Sequence, residues 1–535
     1  MGEARGADRP GIRQVGYPQS AGYQELRGMT ERVDVLIVGG GSAGAVLANR
    51  FSENGTRRIM LLEAGSAYSP NLYPPDLANA DITGGPDGHD WGYVGATGIG
   101  GRSIRALRGK ALGGSSAVNA AVAIRARAAD FAKWSALGIQ GWSFDDVLAS
   151  YKAVENSPDG DDRYRGRSGP LPIRTRRRDE LTPSLNAFID AAVNQGFARV
   201  ADFNGAEQAG VGPYPLNVIS GRRINTAIAF LDDGVRARQN LAIKGGVEVD
   251  RVLLEGARAV GVIDASGNQY RADLVILSAG AYGSPAILMR SGVGPAEHLR
   301  ELGIAVVADL PVGDRLQEHP FYYNIYALKP GANGMHPAAG AILWAASSEA
   351  KPHDLDLHIS ATHLFDPNQS PTGGAIVLAV AVTQPESIGR VRLAGRDPRT
   401  APVITYNLLQ VERDMRRMIE GVGISRRIGR DAAFAKLVEM EITPGPSVTD
   451  DESVKRAIAE QLDVYHHPTS TVPMGLEGSG VVDAFGLVYG LRGLMVVDAS
   501  IMPFVPSAPT NLTTIMVAEH VARHYLVPDS AKSSQ

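Results

Sequence analysis

Three glycines and one glutamate form the clearest chemical pattern in the chain. The motif Gly39-x-Gly41-x-x-Gly44 follows the apolar run 33–38, and Glu63 lies 19 residues beyond Gly44. Glycines at this spacing allow a tight turn and close approach to a pyrophosphate, and the next helix presents unpaired N–H groups. Glu63 can accept hydrogen bonds from a ribose. The pattern predicts a dinucleotide site and leaves NAD and FAD open; the competing interpretation is an ordinary glycine-rich turn.

A second stretch, residues 108–119, is rich in glycine and serine. Gly113, Gly114 and Ser115 let backbone donors reach anionic oxygens without side-chain obstruction, and Asn119 adds an amide. This composition indicates a cofactor cradle, with a purely structural loop as the alternative.

Two adjacent imidazoles, His466 and His467, are the candidate bases. A neutral imidazole with a pKa near its reference value of about 6.5 takes a proton at neutral pH without large tuning. Residue type alone does not choose between them. Four other histidines are interpreted as structural, and their scattered spacing predicts no metal site: His319, His353, His358 and His363.

The elements that must position these groups occur at both ends and in the middle of the chain. A strand at 33–38, a helix at 42–53 and a strand at 58–62 form a βαβ unit. Buried strands are also predicted at 274–277 and 494–498, so the nucleotide domain is expected to be discontinuous. Further elements follow from periodicity and turn signals: strands at 355–359 and 375–380 in an antiparallel sheet, and helices at 411–429, 451–461 and 508–525.

Composition excludes several functional classes. Lys plus Arg is 53 and Asp plus Glu is 57, so the net charge of −4 gives no basic footprint for nucleic acid. With no cysteine, disulfides, thiolate metal sites and cysteinyl cofactor links are excluded. The longest uncharged run, 274–289, is too short and too interrupted by Gly and Pro to span a membrane. Residues 1–30 are interpreted as a loose tail without a secretory core, and a cytoplasmic location is expected.

Four separated stretches together resemble the glucose-methanol-choline (GMC) flavoprotein oxidoreductases. They are the glycine motif, residues 108–119, residues 280–294, and a C-terminal pair formed by His467-Pro468-Thr469-Ser470-Thr471 and Pro509-Thr510-Asn511. The resemblance runs from about 32 to 527. Two departures are Ser470, where the family commonly has Gly, and Leu512, where many relatives have Pro.

The resemblance implies FAD as the cofactor and gives roles to individual residues. His467 is the implied catalytic base, and Asn511 is its partner at the substrate oxygen. Val118 stands where some relatives attach FAD through a histidine, so non-covalent FAD is expected. The implied cofactor contacts are Gly39, Gly41, Ser42, Ala43, Gly44, Glu63, Ala64, Trp91, Arg108, Gly113, Gly114, Ser115, Asn119, Ala120, Val122, Val249, Ala279, Gly280, Asp498, Ala499, Asn511, Leu512 and Thr513.

The expected fold is α/β, with a discontinuous Rossmann-type FAD-binding domain and a second α+β substrate domain built on an antiparallel sheet. The predicted division has a tail at 1–30, the FAD-binding domain at 31–158, 205–297 and 463–530, and the substrate domain at 159–204 and 298–462.

The expected activity is FAD-dependent oxidation of a small primary alcohol to the aldehyde, with aromatic and furanic alcohols among the candidates. Oxygen or a quinone-type compound is the expected acceptor. Hydroxynitrile cleavage on the same flavin scaffold is the alternative, and a flavin-binding module without turnover is the non-enzymatic one. Choline receives no support, since no aromatic cluster is evident in 320–410. No nucleic acid or membrane partner is expected, and the sequence does not indicate an oligomeric state.

Overall fold

A computed structural model describes residues 32–86 and 88–526. The predicted tail at 1–30 and the end of the predicted segment 463–530 lie outside this range. Within it, no helix has the length and apolar character needed to cross a bilayer.

The first sheet contains the predicted βαβ unit. Val33–Val38 lies between Ile59–Leu62 and Gln269–Leu277 and is parallel to both. All four residues of Ile59–Leu62 are buried, as expected for a strand in a parallel sheet covered on both faces. The seven strands are Val33–Val38, Ile59–Leu62, Leu241–Lys244, Val249–Glu255, Arg258–Asp264, Gln269–Leu277 and Leu494–Val496.

Three helices bring chemistry-bearing segments to this sheet. Gly44–Ser52 follows the glycine motif, Gly280–Arg290 follows the longest strand of the sheet, and Thr510–Leu526 packs against Gly44–Ser52. Segments from the first and last parts of the described chain are therefore adjacent in space. The helix predicted at 508–525 begins at Thr510.

The second sheet is antiparallel and lies beside the first, which confirms the expected α/β class with a second sheet-based unit. Its central strand Ala375–Val382 is entirely buried, and the helix Glu412–Arg430 covers it. Gly421 allows this close packing, because a methyl group there would lie 2.6 Å from Val380. The strands are Gly210–Pro213, Pro320–Leu328, Ala339–Ala345, Leu357–Thr362, Ala375–Val382, Val438–Thr443 and Asp463–Val464.

Two strands of the second sheet fall in segments that the predicted division gives to the FAD-binding domain. They are Gly210–Pro213, paired with Ala339–Ala345, and Asp463–Val464, paired with Pro320–Leu328. The chain thus crosses between the sheets more often than the strand pattern indicates, and the domain boundaries stay a prediction.

The remaining strands form small sheets. A four-stranded sheet combines Val94–Gly98, Ser103–Arg105, Arg390–Arg392 and Val403–Leu408. Three two-stranded ribbons pair Glu155–Asn156 with Leu171–Pro172, Arg174–Thr175 with Pro215–Leu216, and Val218–Ile219 with Arg222–Arg223. The other α-helices are Pro75–Ala78, Ala128–Ser135, Phe144–Val154, Pro183–Asn194, Thr226–Phe230, Asp233–Arg236, Ala296–Glu301, Ala432–Ala435 and Asp451–Gln461.

Candidate active site

A cavity of about 1000 Å³ contains most of the predicted site residues. Its walls come from both sheets, with residues that range from Val38 to Thr514. The predicted residues that line it are Gly39, Gly41, Ser42, Ala43, Glu63, Ala64, Trp91, Arg108, Gly114, Ser115, Asn119, Ala120, Val122, Val249, Ala279, Gly280, His467, Asp498, Ala499 and Asn511.

Four predicted contacts lie behind the cavity wall. A methyl group on Gly44 would lie 1.9 Å from the Gly39 carbonyl oxygen, so this glycine serves close backbone packing. The Gly113 N–H donates to the Gly40 carbonyl at 2.7 Å. Leu512 is buried in the core, and the Thr513 hydroxyl lies 2.9 Å from the Tyr151 hydroxyl. These residues support the wall from behind.

The nucleotide end of the cavity is built from glycine and from one buried carboxylate. Gly41 and Gly114 face each other, and a methyl group on Gly114 would lie 2.7 Å from the Gly41 Cα. The helix Gly44–Ser52 has no side-chain cap, so its N-terminus can offer N–H groups to an anion. Glu63 accepts the N–H groups of Gly40 and Gly65, each at 2.8 Å, and burial raises its pKa to about 7.

Asp498 holds a second helix start against the cavity. One carboxylate oxygen accepts the Gly280 N–H at 2.8 Å and the Ser284 hydroxyl at 2.6 Å. The other accepts the Ser500 N–H at 2.8 Å. Burial raises the pKa of Asp498. These bonds occupy both side-chain oxygens, and the segments 279–280 and 498–499 line the cavity. Glycine-lined walls, two helix starts and the buried Glu63 together fit a dinucleotide.

The opposite end contains a pair of histidines. The Nδ1 atoms of His467 and His319 lie 3.0 Å apart, and the two rings are nearly perpendicular. One of the two rings must therefore carry a proton on Nδ1. His466 also lines the cavity but makes no such pair: its Nδ1 has no partner within the described part of the chain. The geometry thus distinguishes the two candidate bases.

Glu318 fixes the backbone of this pair. One of its oxygens accepts the N–H of His467 at 2.7 Å and the N–H of His319 at 2.8 Å. Arg108 donates to the His466 carbonyl at 2.7 Å, and its charge opposes the effect of burial, which raises the pKa of Glu318 to about 8. The carboxylate thereby joins the strand Pro320–Leu328 to the loop that carries His467.

All of the imidazoles at this end are held neutral. Burial, followed by the proximity of the His319 imidazole and the Arg108 guanidinium, lowers the pKa of His467 well below its usual range. Burial also lowers the pKa of His319 and of His466 to about 3. A neutral imidazole has a free lone pair, so His467 is in the protonation state that a base requires.

Asn511 lies at the start of the last helix and lines the same cavity. Its side-chain oxygen accepts the Ser42 hydroxyl at 2.7 Å. The amide oxygen is thereby engaged by the glycine motif, and the NH₂ group remains as a donor to an oxygen in the cavity.

Aromatic rings line the cavity beside His467, although the sequence shows no evident aromatic cluster within 320–410. Phe321 stacks on Tyr465 with ring centroids 4.1 Å apart, and Tyr323 packs on Phe321 at 5.0 Å. Tyr465 also lies 4.4 Å from the His467 ring. Tyr465 is outside the region 320–410, and only strand pairing brings it to the other two rings.

His319 and Tyr465 are the main site residues that the sequence interpretation missed. His319 was interpreted as structural, yet it contacts the predicted base. The available signal for Tyr465 was its place two residues before His467, although the left-handed backbone of His466, with φ of 63°, bends the segment between them. His358 and His363 are buried on and after the strand Leu357–Thr362, as expected. No cluster of His, Asp or Glu among residues 32–86 and 88–526 is arranged to hold a metal ion.

Comparison with known proteins places this site in a family. Two sequence profiles of GMC oxidoreductases match residues 33–321 and 385–518. The chain belongs to the GMC oxidoreductase family. Like the family, it is an FAD-dependent oxidoreductase that acts on alcohol donors.

Individual relatives cover nearly the whole chain. It is 33% identical to an oxygen-dependent choline dehydrogenase of Rhizobium rhizogenes, over 94% of this chain and 97% of that protein. It is 34% identical to the crystal structure of pyridoxine 4-oxidase from Mesorbium loti, with a TM-score of 0.85, covering 92% and 99% of the two chains. A fungal aryl-alcohol oxidase, 21% identical with a TM-score of 0.79, covers 93% and 100% and shares the fold. All three are named as oxidases or dehydrogenases, and none as a hydroxynitrile lyase.

Proposed function

We propose that this GMC oxidoreductase oxidises a primary alcohol to the aldehyde, with His467 as the base and Asn511 as the group that holds the substrate oxygen. The observation that carries the proposal is the presence of both side chains in one cavity with the glycine cradle. The aromatic wall suits an aromatic alcohol, a class in keeping with the names of the pyridoxine and aryl-alcohol oxidases.

The histidine pair prepares His467 for this role. If His467 carries its proton on Nδ1 and donates it to the Nδ1 of His319, its Nε2 has a lone pair for the hydroxyl proton of the substrate. His319 then accepts a stronger hydrogen bond once His467 is protonated. His319 thus acts as a positioning residue that sets the tautomer of the base.

Asn511 acts on the same oxygen. Its NH₂ group donates to the alcohol oxygen, whose negative charge grows as His467 removes the proton. The N-terminus of the helix Thr510–Leu526 adds its positive dipole there. Bound FAD supplies the acceptor for the hydride that leaves the carbinol carbon. The aromatic rings beside His467 exclude water from the reacting carbon.

The proposal is tested by mixing the flavin-loaded protein anaerobically with a panel of primary alcohols. Loss of the flavin absorbance band with equimolar aldehyde formation is the expected result. A flavin that stays oxidised across aliphatic, aromatic and furanic alcohols would contradict the proposal. Repeating the productive reactions with oxygen and with a quinone identifies the electron acceptor. The non-covalent attachment expected from Val118 is checked by release of FAD on denaturation.

A further inference from the structure

A buried arginine lies directly behind the wall of the cofactor cavity. Arg223 is on the strand Arg222–Arg223, and its side chain is completely buried. It donates to the carbonyl oxygens of Leu77 and Ala117, each at 2.7 Å, and to that of Ile82. Its Nε has no partner in the described part of the chain. The guanidinium is therefore held by backbone carbonyl groups alone.

No nearby carboxylate neutralises the positive charge of Arg223. Among residues 32–86 and 88–526, no Asp or Glu oxygen lies within 4.0 Å of its nitrogens. Asp81 acts on it from farther away, and that carboxylate is bound instead to His336 at 2.8 Å and to the Ala338 N–H at 2.9 Å. Burial lowers the pKa of Arg223 to about 10, so the side chain stays protonated at neutral pH.

Two of the carbonyl groups that hold the guanidinium belong to the cavity wall. Ala117 ends a short 3-10 helix, and the next residue, Val118, lines the cavity. Ile82 is likewise followed by a lining residue, Thr83. Because consecutive Cα atoms are only about 3.8 Å apart, a thin layer of backbone separates the charge from the cavity.

A buried charge in this position acts on the reduction of the cofactor. Reduction by a hydride adds one proton and two electrons to bound FAD, so the cofactor gains one negative charge. The carbonyl groups around the guanidinium carry no net charge, so its positive charge acts beyond them. Two unit charges about 10 Å apart, at an effective dielectric constant of about 20, change an equilibrium constant by more than about tenfold.

We propose that Arg223 raises the reduction potential of bound FAD above that of free FAD and thereby favours acceptance of the hydride. Arg223 does not line the cavity, so it acts through its charge rather than by contact. The inference requires FAD in the cavity, but it is independent of the alcohol that is oxidised and of the base. The competing interpretation is that Arg223 only ties the segments of Leu77, Ile82 and Ala117 together.

The test is a reductive titration of the holoenzyme with dithionite in the presence of reference dyes, which requires no alcohol. Arg223→Gln keeps two amide donors for the carbonyl groups but has no charge. Its midpoint potential should fall by at least about 30 mV, which is a tenfold change in the equilibrium of a two-electron couple. Arg223→Lys, whose ammonium group has three donors and keeps the charge, should fall by less than about half of that.

Arg238→Gln is the matched control. Arg238 also donates to a backbone carbonyl, that of Asn49 at 2.7 Å, and to the Ser52 hydroxyl at 2.8 Å. These contacts lie at the end of the helix Gly44–Ser52 that is remote from the cavity, so the midpoint potential should be unchanged. Flavin content and the unfolding midpoint are measured for every variant, so that loss of FAD is distinguished from a change in potential.

Several outcomes overturn the inference. One is a wild-type midpoint potential at or below that of free FAD at the same pH, which is decided without any variant. Another is an unchanged potential in an Arg223→Gln protein that retains FAD. Equal shifts in the Gln and Lys variants would leave Arg223 with a hydrogen-bonding role only. If Arg223→Lys alone retains FAD, a tenfold shift in its reduction equilibrium also overturns the inference. If no alcohol reduces the flavin while the dye titration gives the expected shifts, the proposed oxidation fails and the role of Arg223 stands.

Discussion

At the scale of single residues, His467 is expected to carry most of the proton transfer. His467→Ala should lower the rate of anaerobic flavin reduction by about 10²–10⁴-fold, the usual contribution of a positioned base. FAD content should be unchanged, because the wall of the nucleotide end is built elsewhere. His353→Ala, at an exposed position, is the control. Equal rates in wild type and His467→Ala would remove His467 from the mechanism.

The pH dependence of the reaction follows from the same residue. The pKa of His467 is held well below 6.5, and its neutral form is the competent one. The kcat/KM value should therefore stay level as pH falls through 6.5, with its acid limb at lower pH. The same shift also affects the free energy of unfolding. Below pH 6.5 the imidazole of His467 is protonated in the unfolded chain but stays neutral in the folded protein, so this histidine lowers stability as pH falls. A pH profile of anaerobic flavin reduction that turns down at 6.5 would contradict this assignment.

His319 provides a test of the tautomer argument. His319→Leu removes the acceptor for the Nδ1 proton of His467 and should lower kcat by about 10–100-fold, because a buried polar atom is left unpaired. His319→Asn places an oxygen near the former Nδ1 and should recover part of the loss. KM should change little in either variant. If the Leu and Asn variants behave alike, His319 acts only through packing.

These residues also show what sequence can and cannot predict. The sequence could predict His467 and Asn511 as candidate site residues because each belongs to a short local motif, and both line the cavity. His319 and Tyr465 could not be predicted in this way, because their contacts depend on pairing between Pro320–Leu328 and Asp463–Val464, which are distant in sequence. At the nucleotide end, Gly44 belongs to the glycine motif and Gly113 to the stretch 108–119, yet both support the wall rather than line it. Spacing identifies the motif, but only packing shows which glycine faces the ligand.

At the scale of elements, two glycines of the motif have different roles: Gly41 serves ligand binding and Gly44 serves folding. A methyl group on Gly41 would lie 3.7 Å from the Gly114 Cα, an ordinary contact, and would project into the cavity. Gly41→Ala should therefore keep the unfolding midpoint of the FAD-free protein while weakening FAD binding by at least about tenfold. Gly44→Ala should instead destabilise the fold by about 1–3 kcal/mol, because its methyl group meets the backbone. Flavin content and thermal unfolding of the two variants check this, and full FAD affinity in Gly41→Ala would show that the cofactor does not approach that glycine.

At the scale of the whole molecule, the cavity joins parts of the chain that are far apart in sequence. Ser42 contacts Asn511, and Arg50 forms an ion pair with the buried Glu519 at 2.6 Å. These contacts join the region of the helix Gly44–Ser52 to the helix Thr510–Leu526. Walls from both sheets complete the cavity. FAD bound between them stabilises only the state in which all of these parts are assembled, by about 2.7 kcal/mol at a free concentration of 100 Kd. We therefore expect the midpoint of thermal unfolding to rise with FAD concentration, and flavin release, followed by its fluorescence, to coincide with loss of helical circular dichroism. Flavin release well before the loss of helix would mean that one wall opens on its own, and the two sheets would then not unfold as one unit.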